Sequence, residues 1–111
     1  MSQKTQVVLR KEIQAFQPMI EAIVNLFHPF VEVAVHDLKT EQIVLLHHNL
    51  SKRKVGDKSP LAELHVSTQQ FPDYFEPYYK INWDGKPLKC TSVTIRDEQG
   101  KAIGLICFNF D

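Results

Sequence analysis

Apolar and polar positions along this chain follow two periods. Leu9, Ile13, Phe16, Ile20, Ile23, Val24 and Phe27 recur at steps near three and four, which draws one stripe down a helix over residues 8–27. Pro18 interrupts it, because proline has no amide hydrogen to donate and disfavours helical backbone at Gln17. The stretch reads as one kinked helix or as two segments, with Pro18 in the first turn of the second. The stripe packs on a core or serves dimerisation, and both uses coexist if the helix covers a sheet face. Residues 1–6 are polar and read as loose, and residues 25–29 end the helix.

The second period is two. Val31, Val33 and Val35 share one side of a strand over 31–37, and Glu32, Ala34 and His36 share the other. A turn at 38–42 and a strand at 43–48 complete a first hairpin. The last third of the chain, 78–111, predicts three more antiparallel strands. Residues 78–83 set Tyr79, Ile81 and Trp83 against Tyr78, Lys80 and Asn82. Asp84-Gly85 follows and predicts a type I′ turn with positive φ at both residues. A strand over 88–96, a polar turn at 97–101 containing Gly100, and a strand over 102–110 come next. In that last strand Ile103, Leu105 and Cys107 lie on one side, and Ile106, Phe108 and Phe110 on the other. Both sides are apolar, so it is expected to be a central strand covered on two faces.

Between the two hairpins residues 49–58 are polar. Ser59-Pro60 is a good helix start, with Ser as cap and Pro at the first helical position, and predicts a short helix over 60–66. Phe71-Pro72 begins another turn of helix to about Phe75. The order is therefore helix, two strands, short helices, three strands. It predicts an α+β domain: a five-stranded antiparallel sheet with short helices on one face and an N-terminal helix free to cover the other. Residues 1–29 form the helical region and residues 30–111 the sheet domain. The insert would enclose a space over the sheet where a small ligand fits.

Composition narrows the classes. The 111 residues are 43% apolar, with 13 basic and 13 acidic side chains and zero formal charge. That balance argues against a domain that grips nucleic acid through phosphates, which leaves a basic footprint. No apolar run reaches the length of a membrane span and the opening residues do not read as a signal peptide, so a cytoplasmic protein is expected. Cys90 and Cys107 fall in predicted strands and read as reduced, buried residues, with a cross-strand bridge as the other reading.

The element order resembles a PAS domain, and four stretches make the resemblance specific. Residues 32–38, Glu-Val-Ala-Val-His-Asp-Leu, are similar to the Glu-Val-Val-Leu-His-Asp-Leu signature of the YheO-like PAS family. Residues 53–57 match its Arg-Lys-Val-Gly-Asp segment, with Lys52 in place of a leading Gly. Residues 84–89 and 95–97 match its central hairpin. Residues 104–111, Gly-Leu-Ile-Cys-Phe-Asn-Phe-Asp, resemble its closing Gly-Ala-Leu-Cys-Ile-Asn-Phe-Asp. The resemblance implies a sensor module of bacterial transcriptional regulators, which continue into a helix-turn-helix domain. No helix pair of that kind is read in this chain, so the domain itself is expected to make no direct nucleic-acid contact. The sequence departs from the family at residues 49–52 (Asn-Leu-Ser-Lys) and at residues 90–92 (Cys-Thr-Ser), where a pocket wall would stand.

The candidate ligand-binding residues are His36, Asn49, Arg53, Ser92 and Asn109. His36 either points into the pocket, where its partial charge near neutral pH suits a polar ligand, or is buried against backbone. It is not expected to pair with Asp37, since strand neighbours face opposite ways. The Arg53 fork suits a carboxylate, or else lies solvated in its loop. Ser92 and Asn109 are polar positions within apolar strands, whose buried groups need a ligand, a water or a neighbouring strand as partner. His47-His48 cannot readily chelate one ion from adjacent strand positions, and no ligand spacing supports a metal. No cofactor is expected. Nothing specifies a catalytic triad or a phosphate-binding loop, so a non-enzyme is expected. The partner would be a small polar metabolite, with an amino acid among the options, and the protein is expected to be a homodimer.

Overall fold

Five strands form one antiparallel sheet, described with its helices over residues 9–59 and 67–111 of a computed structural model. The elements are α1 (Lys11–Gln14), α2 (Gln17–Phe27), β1 (Val31–Asp37), β2 (Gln42–His47), β3 (Tyr74–Ile81), β4 (Pro87–Arg96) and β5 (Ala102–Phe110). A 3-10 turn, Thr68–Gln70, precedes β3. The strand order is β2-β1-β5-β4-β3, so β5 lies in the middle between β1 and β4. Its two apolar sides are both used. Ile106 joins a core under the helices, while Leu105 and Cys107 join a second core with Ala34 and Phe71 on the opposite face.

The N-terminal stripe is core. It is divided into two helical segments, and Pro18 sits in the first turn of α2, where a missing amide hydrogen costs nothing. Ile13, Ile20 and Val24 are buried against Val31, Val33, Val35, Ile95 and Ile106, with Leu9, Phe16 and Ile23 packed around them. An ion pair fixes the start of α1: Arg10 Nε donates to Asp37 Oδ2 at 2.9 Å, and Asp37 Oδ1 accepts the amides of Lys39 and Thr40.

Several expected details differ. Ile103 does not share a side with Leu105. The register places Ile95 opposite Gly104 and Arg96 opposite Ala102, so Ile103 is the extra residue of a bulge and turns to the helix side. The turn at Asp84-Gly85 is not type I′. Only Gly85 has positive φ, at 82°, and the loop closes with the Gly85 amide on Asn82 O and the Asn82 amide on Lys86 O. This three-residue geometry asks for a single left-handed residue, which glycine supplies without strain, whereas type I′ would force Asp84 there too. The turn at 97–101 repeats it, with Gly100 also at 82°.

Residues 71–75 are not helical, and β3 begins earlier than the alternation at 78–83 implied. The carbonyls of this segment are claimed by β4: Thr94 Oγ1 donates to Pro72 O at 2.6 Å, Thr91 Oγ1 to Phe75 O at 2.7 Å, and Arg96 Nη2 to Phe71 O at 2.7 Å. Phe71 and Phe75 meet edge to face at 5.3 Å. Pro77 is tolerated because β3 is an edge strand and is irregular between Phe75 and Tyr78. Trp83 leaves the strand pattern for the turn and folds toward the insert. The loose start at 1–6 and the helix at 60–66 lie outside the described residues.

Candidate functional site

Cross-strand register sorts the insert-facing side of the sheet into rows, since directly opposed residues share a face. One row runs Glu32, Asn109, Cys90, Tyr78 across β1, β5, β4 and β3. The next runs Ala34, Cys107, Ser92, Phe75. A third runs His36, Leu105, Thr94, and Lys80 stands opposite Leu88 at the other end. Polar groups are thus set at intervals among apolar ones over a floor four strands wide.

Glu32 is fully buried. Its Oε1 accepts Asn109 Nδ2 at 2.7 Å, and its Oε2 accepts both the amide (2.8 Å) and the hydroxyl (2.7 Å) of Ser51. The carboxylate therefore ties the insert loop to the floor. Asn109 is 1% exposed, and its Oδ1 has no hydrogen-bond partner among the described residues. Turning the amide over would set two acceptor oxygens together, so Glu32 dictates which way Asn109 faces.

His36 is buried, and its Nδ1 lies 2.6 Å from Ser59 Oγ. Burial pushes its pKa down to about 4, with the positive charges of Arg53 and Lys80 adding in the same direction. It is a neutral imidazole near pH 7. Ser92 is buried between Tyr78 OH at 3.1 Å and Cys107 Sγ at 3.2 Å. Burial raises the Cys90 thiol to about 11 and raises Cys107 as well, so neither presents a thiolate. Both are free thiols.

Arg53 and Lys80 act on the same groups. The charge of each is felt at His36, Cys90 and Cys107, yet neither cation belongs to an ion pair among the described residues. Arg53 comes from the insert loop and Lys80 from the edge strand, and both are half-buried.

Of the residues singled out from sequence, His36, Ser92 and Asn109 share this floor, and Arg53 acts on it from the loop. Asn49 stands apart. It is exposed, and its amide is spent on the Arg53 backbone: Nδ2 donates to Arg53 O at 2.5 Å and Oδ1 accepts the Arg53 amide at 3.1 Å. Its part is to shape the loop that carries Arg53. Glu32, Tyr78 and Lys80 were not singled out. The alternation already placed Glu32 beside His36 and Lys80 beside Tyr78, which was the available signal. His47 and His48 diverge: His47 ends β2 opposite Val33, while His48 lies beyond the strand with φ 52° and sets its Nε2 2.6 Å from Pro29 O.

The loop is clasped at a second point. Leu50 O accepts both Asn82 Nδ2 at 2.8 Å and Trp83 Nε1 at 3.0 Å, and Lys52 Nζ stands 3.7 Å from the centre of the Trp83 ring. The β3–β4 turn thus holds the same loop whose next residue, Ser51, is held by Glu32.

A five-stranded antiparallel sheet in this order, with helices on one face and the insert residues Ser51, Ser59 and Phe71 on the other, is an α+β fold of PAS type. The chain belongs to the YheO-like PAS domain family, whose model matches residues 8–111 and so takes in both helices. It is 32% identical over 99 residues to a protein of Pseudomonas aeruginosa named transcriptional regulator DauR, a match that covers 89% of this chain and 47% of that protein. The chain thus spans about half the length of that relative. Among the described residues no helix is long and apolar enough to cross a membrane.

Proposed function

We propose that this chain is the small-molecule-sensing domain of a bacterial transcriptional regulator in the cytoplasm, and that it binds a polar metabolite with an anionic group between the sheet floor and the insert. The observation that carries this reading is a pair of half-buried cations, Lys80 on the floor's edge strand and Arg53 in the loop that Glu32 anchors through Ser51, neither of them in an ion pair among the described residues. Two partly desolvated cations over a floor with buried hydrogen-bonding groups suit a carboxylate, which Arg reads with two parallel bonds and Lys as a point charge. The family match and the name of the Pseudomonas aeruginosa relative support a place in transcriptional control. DNA contact would fall to a helix-turn-helix domain elsewhere in the regulator. The ligand would act through its differential affinity for two packings of the insert loop.

Native mass spectrometry of the chain, incubated with a bacterial metabolite extract, tests this. The expected result is a 1:1 complex that Arg53→Gln and Lys80→Met both weaken. A chain that takes up nothing from the extract and gains no thermal stability from it overturns the sensing reading.

A second reading, an interaction module without ligand, draws on the other face. Phe110 meets Phe27 edge to face at 6.4 Å and Phe30 at a tilt at 6.3 Å, and all three are exposed beside a mainly apolar groove of about 410 Å³ that includes Ile23 and Phe108. The expected homodimer would use this patch. Sedimentation of Phe30→Glu distinguishes the two: monomers that still bind metabolite favour sensing as the primary role.

A further inference from the structure

The floor carries opposite charges that are kept apart. Glu32 stands in the row that runs to Cys90 and Tyr78, Lys80 lies on the edge strand opposite Leu88, and Arg53 belongs to the loop that Glu32 holds at Ser51. Yet the ion pairs of the described residues are Arg10–Asp37, Lys11–Glu98 and Arg96–Asp73, none of which includes Glu32, Arg53 or Lys80. Glu32 instead accepts three hydrogen bonds from neutral donors, although it is fully buried. A buried carboxylate ordinarily has a cation beside it.

Beside it stands a second acceptor without a donor. Asn109 Oδ1 is buried and unpartnered among the described residues, and the bond from Asn109 Nδ2 to Glu32 holds it in place. Buried side-chain acceptors left open are uncommon and mark a place where a donor belongs. The two cations ask for an acceptor of negative charge, and the Glu32–Asn109 pair asks for a donor of positive charge.

We propose that Asn109 Oδ1, backed by the Glu32 carboxylate, is the subsite for a cationic N–H donor, and that Arg53 and Lys80 receive a carboxylate of the same molecule. The ligand class is then a zwitterion with an ammonium group at one end and a carboxylate at the other. This inference rests on the sensing reading and sharpens it. Because Glu32 Oε2 also holds the amide and hydroxyl of Ser51, a cation arriving at Asn109 draws on the same carboxylate that anchors the insert loop. Occupancy of the subsite is thereby coupled to the position of residues 50–53.

Isothermal titration of the full chain with three matched series tests it: free amino acids whose side chains carry no N–H donor, the 2-oxo acids with the same side chains, and the primary amines lacking the carboxylate. At least one amino acid is expected to bind, with its 2-oxo acid and its amine each weaker by about tenfold or more, the worth of one charge-assisted hydrogen bond. Asn109→Ala, checked for folding by circular dichroism, is expected to lose the preference for the amino acid over the 2-oxo acid. The series on the native chain stands even if that variant unfolds. A 2-oxo acid that binds as tightly as its amino acid overturns the donor subsite and leaves sensing intact. So does a metabolite recovered from the extract that carries no N–H donor. Absence of binding in every series and from the extract overturns both.

Discussion

Asn109 Nδ2 donates to Glu32 Oε1 at 2.7 Å, a buried contact between the end of the last strand and the start of the first, 77 residues apart in sequence. Through the other oxygen of Glu32 the contact continues to Ser51. Replacing Glu32 with Ala strands three donors, of which the Asn109 amide is buried. The expected loss of stability is about 1–3 kcal/mol, read as a lower urea midpoint. Faster hydrogen exchange at the Ser51 amide should accompany it. An unchanged Ser51 exchange rate would show that the loop does not depend on this anchor.

His36 makes the fold acid-sensitive. Its folded pKa, about 4, lies below the ordinary 6.5, chiefly because burial disfavours the imidazolium. Between those values the unfolded chain binds the proton and the folded chain does not, so stability falls as pH is lowered. The contribution is complete above about 6.5 and lost progressively toward 4. Urea midpoints measured from pH 7 to 4.5 should fall more steeply for the native chain than for His36→Gln. Equal slopes would mean that His36 does not titrate in this window.

Ile13 contributes more than the length of its helix implies. α1 has only four residues, too few to persist without tertiary contacts, and Ile13 is its buried residue, packed in the core with Ile95 and Ile106. Ile13→Ala should cost about 2–5 kcal/mol by loss of transfer energy and the cavity left behind. Leu26→Ala, at a site 76% exposed, should cost far less. Chemical denaturation of the pair checks the contrast.

Trp83, the one tryptophan of the chain, reports on the loop it holds. Trp83→Phe removes the indole donor to Leu50 O and weakens the contact with Lys52, while Asn82 Nδ2 still serves the same carbonyl. The expected cost in stability is small, about 1 kcal/mol or less, because the site is exposed. Hydrogen exchange at residues 50–53 should nevertheless quicken. In the native chain, a ligand that displaces the loop should change Trp83 fluorescence.

By itself the sequence determined the elements and their faces. The step of three and four at Leu9, Ile13, Phe16 and Ile20 made a helix with one apolar side, and the alternation at Val31, Val33 and Val35 set Glu32 and His36 opposite them. The two-sided apolar pattern of β5 placed it in the middle of the sheet, and the motifs at residues 32–38 and 104–111 indicated the family. These are local properties: they follow from the turn angle per residue and need no knowledge of distant neighbours. Where β3 begins, and which way Ile103 and Trp83 face, depended on tertiary contacts. Bonds from Thr91, Thr94 and Arg96 drew residues 71–75 onto β4, a bulge turned Ile103, and Leu50 O held Trp83. The site belongs to the same class. Only the strand order brings Asn109 to Glu32, and only the fold of the loop after β2 brings Ser51 to them, because a buried polar group is satisfied by whatever packing sets beside it, not by its neighbours in the chain.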